Sequence, residues 1–135
     1  KELLGEDIVK NVFRSIGKSK SVPKLCAGGG VLVEMVGWGG ENGMKALKGV
    51  LKMLGNRFPS VRRHVSEQLY MHLLSIEDDE YENEESSVKG TLFSTSSIEE
   101  AMDILTESDW CGSLDDAKEN RNRLAIILNI AIPQA

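Results

Sequence analysis

Residues 44–74 read MKALKGVLKMLGNRFPSVRRHVSEQLYMHLL, and this stretch decides the fold. Met44, Leu47, Val50, Leu51 and Leu54 recur at three- and four-residue steps, which places them on one face of a helix. Gly55 supplies a stop, because glycine tolerates the left-handed conformation that satisfies a helix's last carbonyls. After Asn56-Arg57-Phe58, Pro59 opens a second helix, where its missing N–H would be unpaired in any case. Val61, Val65, Leu69 and Leu73 follow at four-residue steps. The result is a helical hairpin with faces apolar enough to need neighbours, the building unit of an α-solenoid. Such units bind partners and seldom do chemistry.

Working towards the N-terminus, Ile8, Val9, Val12, Phe13 and Ile16 mark a helix that ends near Gly17. Ser21 or Val22 before Pro23 starts another, carrying Leu25, Cys26, Val31, Leu32, Met35 and Val36. Gly28-Gly29-Gly30 interrupts its pattern. Each glycine costs about 1 kcal/mol in a helix interior relative to alanine, so either the helix breaks or its neighbours pack close against bare backbone. A phosphate-binding loop needs other spacings, following a strand, and neither the P-loop nor the dinucleotide pattern occurs here. Gly37, Trp38, Gly39, Gly40 and Gly43 read as the loop before the 44–54 helix.

Working towards the C-terminus, Ser97 with Glu100 reads as a capping box opening a helix lined by Ile98, Ala101, Met102 and Leu105. Ser113 caps a last helix lined by Leu114, Ala117, Leu124, Ile127 and Leu128, and Pro133 prevents its continuation. The expectation is therefore a single all-α domain over residues 1–135, a HEAT/armadillo-like helical-hairpin solenoid fragment of about six helices. No apolar run approaches the ~20 residues of a membrane span. A start at Lys1 reads as a fragment or a processed product.

Charge is distributed unevenly. Seven carboxylates fall between Glu77 and Glu85; the net charge is −5, so the rest of the chain carries +2. A segment this charged cannot bury enough apolar surface to order itself, and residues 77–96 read as an acidic, disordered loop. Its carboxylates lack the spacing and central glycine of a calcium loop. His64 and His72 share no helix face and have no Glu or Cys at ligand spacing. His72 falls within the Val61–Leu69 stripe and reads as a hydrogen-bonded core or interfacial histidine. Asp115 and Asp116 favour a helix N-terminus. Cys26 and Cys111 lie far apart and outside any metal-binding pattern, and read as reduced structural thiols. No Ser, Cys or Lys has an activating neighbourhood, so no enzyme, metal or cofactor is expected.

The basic residues are better candidates. Lys45, Lys48 and Lys52 lie along the polar side of the third helix, Arg57, Arg62 and Arg63 crowd the corner, and Arg121 and Arg123 flank Asn122. They read as a solvated face, as partners of the acidic segment, or as a patch for an acidic protein. Nucleic acid is disfavoured by the negative total charge and the lack of interleaved aromatics.

Three stretches together resemble the C-terminal end of the tubulin-folding cofactor D family of chaperones. They are Lys18-Ser19-Lys20 leading to Lys24-Leu25; Asn56-Arg57-Phe58-Pro59-Ser60-Val61-Arg62-Arg63 continuing through Ser66-Glu67-Gln68-Leu69-Tyr70 to Leu73-Leu74; and Asp109-Trp110 followed by Lys118-Glu119-Asn120-Arg121-Asn122-Arg123-Leu124, then Leu128 and Pro133. The triple glycine and the acidic insertion depart from the family pattern. The resemblance implies a piece of a large cytosolic HEAT/armadillo-like solenoid that handles β-tubulin. With sister cofactors C and E, such a chaperone assembles and takes apart the αβ-tubulin heterodimer. It also binds an Arf-like small GTPase and takes part in stimulating tubulin GTP hydrolysis, for which cofactor C supplies the catalytic arginine. The alternative is a generic HEAT-like adaptor outside tubulin biogenesis.

Overall fold

A computed structural model describes residues 2–17, 19–82 and 95–130. Six helices follow one another: α1 (Glu2–Gly17), α2 (Val22–Val36), α3 (Gly40–Met53), α4 (Pro59–Glu82), α5 (Thr95–Glu107) and α6 (Leu114–Ile127). The described residues contain no strand. Helix α2 packs against α1, α3 and α4; α4 meets α5, α5 meets α6, and α6 returns to α3.

The stripes read from the sequence form the core. Leu47, Val50, Leu51 and Leu54 of the α3 end meet Val61, Val65, Leu69 and Leu73 of α4, and all eight are fully buried. Leu32, Met35 and Val36 of α2, Ile98 and Ala101 of α5, and Leu124 of α6 close the same cluster. Ser21 caps α2, its hydroxyl accepting from the Lys24 N–H at 3.4 Å, with Pro23 in the first turn. Ser113 caps α6 by accepting from the Asp116 N–H at 3.1 Å, and Asp115 and Asp116 occupy its positive end.

The triple glycine does not break α2. A Cβ on Gly28 would collide with Ile16 of α1, and one on Gly29 would lie 2.7 Å from the Val65 Cγ2 of α4. Bare backbone lets α1 and α4 approach α2 from two sides. Gly30 faces open space, with no heavy atom within 4 Å of a Cβ built there.

Four boundaries differ from expectation. Helix α3 begins at Gly40, so Gly43 is a buried helical residue; the chain enters through positive φ at Gly39 (68°) and Gly40 (62°), a conformation glycine adopts freely. Gly55 is not left-handed. The α3 end instead tightens through i→i+3 bonds, the Gly55 N–H donating to the Lys52 carbonyl and the Asn56 N–H to that of Met53. Helix α4 continues through Glu82, so the acidic segment is helical over 77–82, where three of the six residues are glutamate, a good helix former. Helix α5 begins at Thr95, which puts Ser97 inside its first turn rather than at the cap. The rest of the expected acidic loop, residues 83–94, and the Pro133 stop lie outside the described residues.

One terminus carries a device the sequence reading lacked. Asn129 is left-handed (φ 59°), the Asn129 N–H donates to the Ile126 carbonyl, and the Ile130 N–H donates to that of Ala125 at 2.8 Å. This is a Schellman end with asparagine in the glycine position, sealed by buried Ile130.

The α2 glycines give opposed predictions. Gly30→Ala should stabilise the chain by about 0.5–1 kcal/mol through helix propensity alone. Gly29→Ala gains the same propensity but overpacks against Val65 and should lose about 1–3 kcal/mol. Urea midpoints at constant slope will read both signs.

Candidate functional site

The α3–α4 corner is built by side chains that cap backbone. The Asn56 Oδ1 accepts from the Phe58 N–H at 2.9 Å, and the Phe58 carbonyl receives the Val61 and Arg62 N–H groups. The exposed Arg57 guanidinium lies over the Phe58 ring, 4.8 Å from its centroid.

Arg62 joins this corner to the next. Its side chain is 1% exposed and donates three hydrogen bonds, all to backbone carbonyls. Nε reaches Trp110 at 2.7 Å, Nη1 reaches Asn56 at 2.7 Å, and Nη2 reaches Gly112 at 2.8 Å. One rigid fork thus spans the α3–α4 and α5–α6 connections. The second connection is shaped for it. The Trp110 indole N–H donates to the Leu105 carbonyl at 3.0 Å, and the Asp109 Oδ1 accepts from the Cys111 N–H at 3.1 Å. These bonds turn the Trp110 and Gly112 carbonyls towards α4.

Arg62 is therefore not a surface recognition residue, contrary to the sequence reading. Burial at the start of the Val61–Leu73 stripe and three carbonyl acceptors make it a structural fastener. Arg121 is also buried, but it bonds no distant carbonyl. It is 4% exposed, and its guanidinium lies against Gly55, where a Cβ would sit 2.7 Å from Nη1. Close approach of Arg121 is the reason a glycine stands at position 55.

The remaining basic residues do face solvent. Arg63 is exposed and paired with Glu67 one turn along, Nε to Oε1 at 3.1 Å. Lys45 is half-buried and 3.6 Å from the Glu41 carboxylate. Lys48 and Lys52 are exposed and form no ion pair among the described residues. Arg123 is exposed, with Nη1 3.4 Å from the Asn120 Oδ1. The expected basic set thus splits into the buried fastener Arg62, the buried Arg121, and a solvent-facing group of Lys45, Lys48, Lys52, Arg57, Arg63 and Arg123.

His72 is half-buried beside Gly37, and its Nε2 is buried without a hydrogen-bond partner. The hydrogen-bonded histidine expected from sequence is not found at that nitrogen. Burial lowers its pKa below the ordinary 6.5. Both cysteines are free; Cys26 is half-buried, which raises its pKa, whereas Cys111 is exposed. Among the described residues no cluster of three or more His, Cys, Asp or Glu could hold a metal ion. No helix among them is long and apolar enough to cross a membrane.

Compared with known proteins, the chain matches no family model and no solved structure.

Two predictions follow from this geometry. Arg62→Met should destabilise by at least about 3 kcal/mol, because it strips charge-assisted bonds from three carbonyls. Arg63→Ala should cost no more than about 0.5 kcal/mol, as exposed i,i+4 pairs do. Paired thermal melts will separate the two arginines.

His72 sets a pH dependence. Its folded pKa lies below its unfolded one, so the unfolded chain binds the proton more readily. Stability is then complete above the unfolded pKa and falls as pH drops through it towards the folded value. Denaturant midpoints should decline from about pH 7.5 to about pH 5.5, and His72→Leu should flatten that slope.

Proposed function

We propose that this chain is the C-terminal part of a tubulin-folding chaperone of the cofactor D type, a HEAT-like solenoid segment that works in the cytoplasm. In this reading it helps hold β-tubulin while the αβ heterodimer is assembled or taken apart with cofactors C and E and an Arf-like small GTPase. It supplies shape and surface, and the hydrolytic chemistry belongs to its partners.

The observation behind the proposal is the convergence of the resembling stretches. The Asn56–Arg63 stretch is far in sequence from the stretch that holds Trp110 and Lys118–Leu124. They meet where Arg62 bonds Trp110, and Arg121 packs on Gly55 beside Asn56. Family-like residues thus include those on which the local architecture depends. That supports a shared scaffold. The solvent-facing Arg57 and Arg63 at the same corner are the groups it would present to an acidic protein.

The test is capture of purified tubulin by the immobilised full chain. Capture is expected to weaken as salt rises, since exposed charges are screened over about 8–10 Å. The double reversal Arg57→Glu/Arg63→Glu should reduce capture severalfold while leaving the melting temperature within about 2 °C. Absence of tubulin capture by a correctly folded chain would leave the generic adaptor as the better reading.

A further inference from the structure

A second cluster of cations borders the corner fastened by Arg62, whose Gly55 and Asn56 help line it. Helices α1, α2, α3 and α6 enclose a pocket of about 460 Å³. Its apolar wall comes from Phe13 and Ile16 of α1, Leu25 of α2 and Met53 of α3. Its polar side carries Lys52, Lys118 and Arg121, and no aspartate or glutamate lines it. Lys118 was not among the residues singled out from sequence.

Arg121 is the unusual member. Its only recorded hydrogen bond runs from Nε to the Asn122 Oδ1 at 3.1 Å, and it makes no ion pair among the described residues. Its Nη N–H groups have no protein acceptor among the described residues, and the side chain lines the pocket. Burial lowers its pKa below that of a free guanidinium, the direction expected of a desolvated cation without a counter-charge. A guanidinium still holds its proton at neutral pH, so the site keeps a positive charge. An arriving carboxylate would accept two parallel bonds from the Nη groups in the geometry arginine favours.

We infer that this pocket binds an acidic peptide segment of a partner protein, with one carboxylate held by Arg121, Lys52 and Lys118 and an adjacent apolar side chain seated between Phe13, Ile16, Leu25 and Met53. The apolar wall argues for a carboxylate carried beside a hydrophobic group over a bare anion, which would leave that wall wet. The volume suits one or two side chains. The inference does not require the partner to be tubulin.

The experiment uses the full chain and a fluorescein-labelled decapeptide in which glutamates surround a central phenylalanine, read by fluorescence polarisation. Wild-type chain should bind it saturably. Arg121→Met should weaken binding about tenfold, the scale of one lost charge-assisted contact of about 1.4 kcal/mol. Should Arg121→Met melt early, Lys52→Glu/Lys118→Glu provides the reading on less buried side chains and should also weaken binding about tenfold or more. Replacing the phenylalanine by serine in the peptide should weaken it severalfold. Unchanged affinity in Lys52→Glu/Lys118→Glu, or in a folded Arg121→Met chain, overturns the proposal. So does equal binding of the serine peptide, or displacement by inorganic phosphate or ATP beyond that by chloride of matched ionic strength. Peptide binding without tubulin capture would retain this pocket and remove the chaperone role; tubulin capture without peptide binding would do the reverse.

Discussion

The arrangement depends on a buried guanidinium that has no carboxylate partner. Taking a charge out of water is expensive, and Arg62 meets the cost by donating to the carbonyls of Asn56, Trp110 and Gly112. Those carbonyls lie at chain reversals, where no helical N–H is available to them. The same bonds therefore satisfy the cation and the loops at once. They also fix how α4 sits against the α5–α6 connection, because the fork is planar and its donors diverge at set angles. An apolar residue of equal volume would fill the space and leave three carbonyls facing it without donors.

Close approach is the second constraint. Gly28 and Gly29 let α1 and α4 press on α2, and Gly55 lets Arg121 lie on the end of α3. Each glycine sits where a methyl group would come within 3 Å of a neighbouring side chain. The same logic runs at Gly49, where a Cβ would come within 2.5 Å of the Phe13 ring. Small residues here act as negative volume, and they set the spacing between helices as firmly as the large residues fill it.

The helices were legible in the sequence because burial follows the 3.6-residue period. Every member of the Val61–Leu73 stripe is in the core, and the Ser21 and Ser113 caps are where the pattern put them. Boundaries were less legible where two rules competed. At Glu77–Glu82 the count of charges suggested a loop, while glutamate's helix propensity carried α4 onward. At Gly55 the stop was right and its mechanism was not, since the glycine serves a contact with Arg121, sixty-six positions away in sequence. The basic set was misread at Arg62 for a related reason. Composition marks arginine as a surface residue, and only tertiary placement shows that carbonyls from distant turns have gathered around one. The feature that would have helped is spacing: Arg62 stands seven and eleven residues before Leu69 and Leu73, on the same helix face as those two members of the buried stripe.

The acceptors around Arg62 are peptide carbonyls, which do not titrate. The buried His72 nitrogen beside Gly37 does, and it lies towards the other end of α2 and α4. Acid therefore attacks the molecule asymmetrically. Protonation favours opening where the end of α2 meets the middle of α4, while the fastened turns at Asn56 and Trp110 keep their bonds. This implies an order of failure, with a partly open form that has released the end of α2 and still holds α4 to the α5–α6 connection. Amide exchange in mild acid would register that form as early loss of protection near Gly37 and late loss near Arg62.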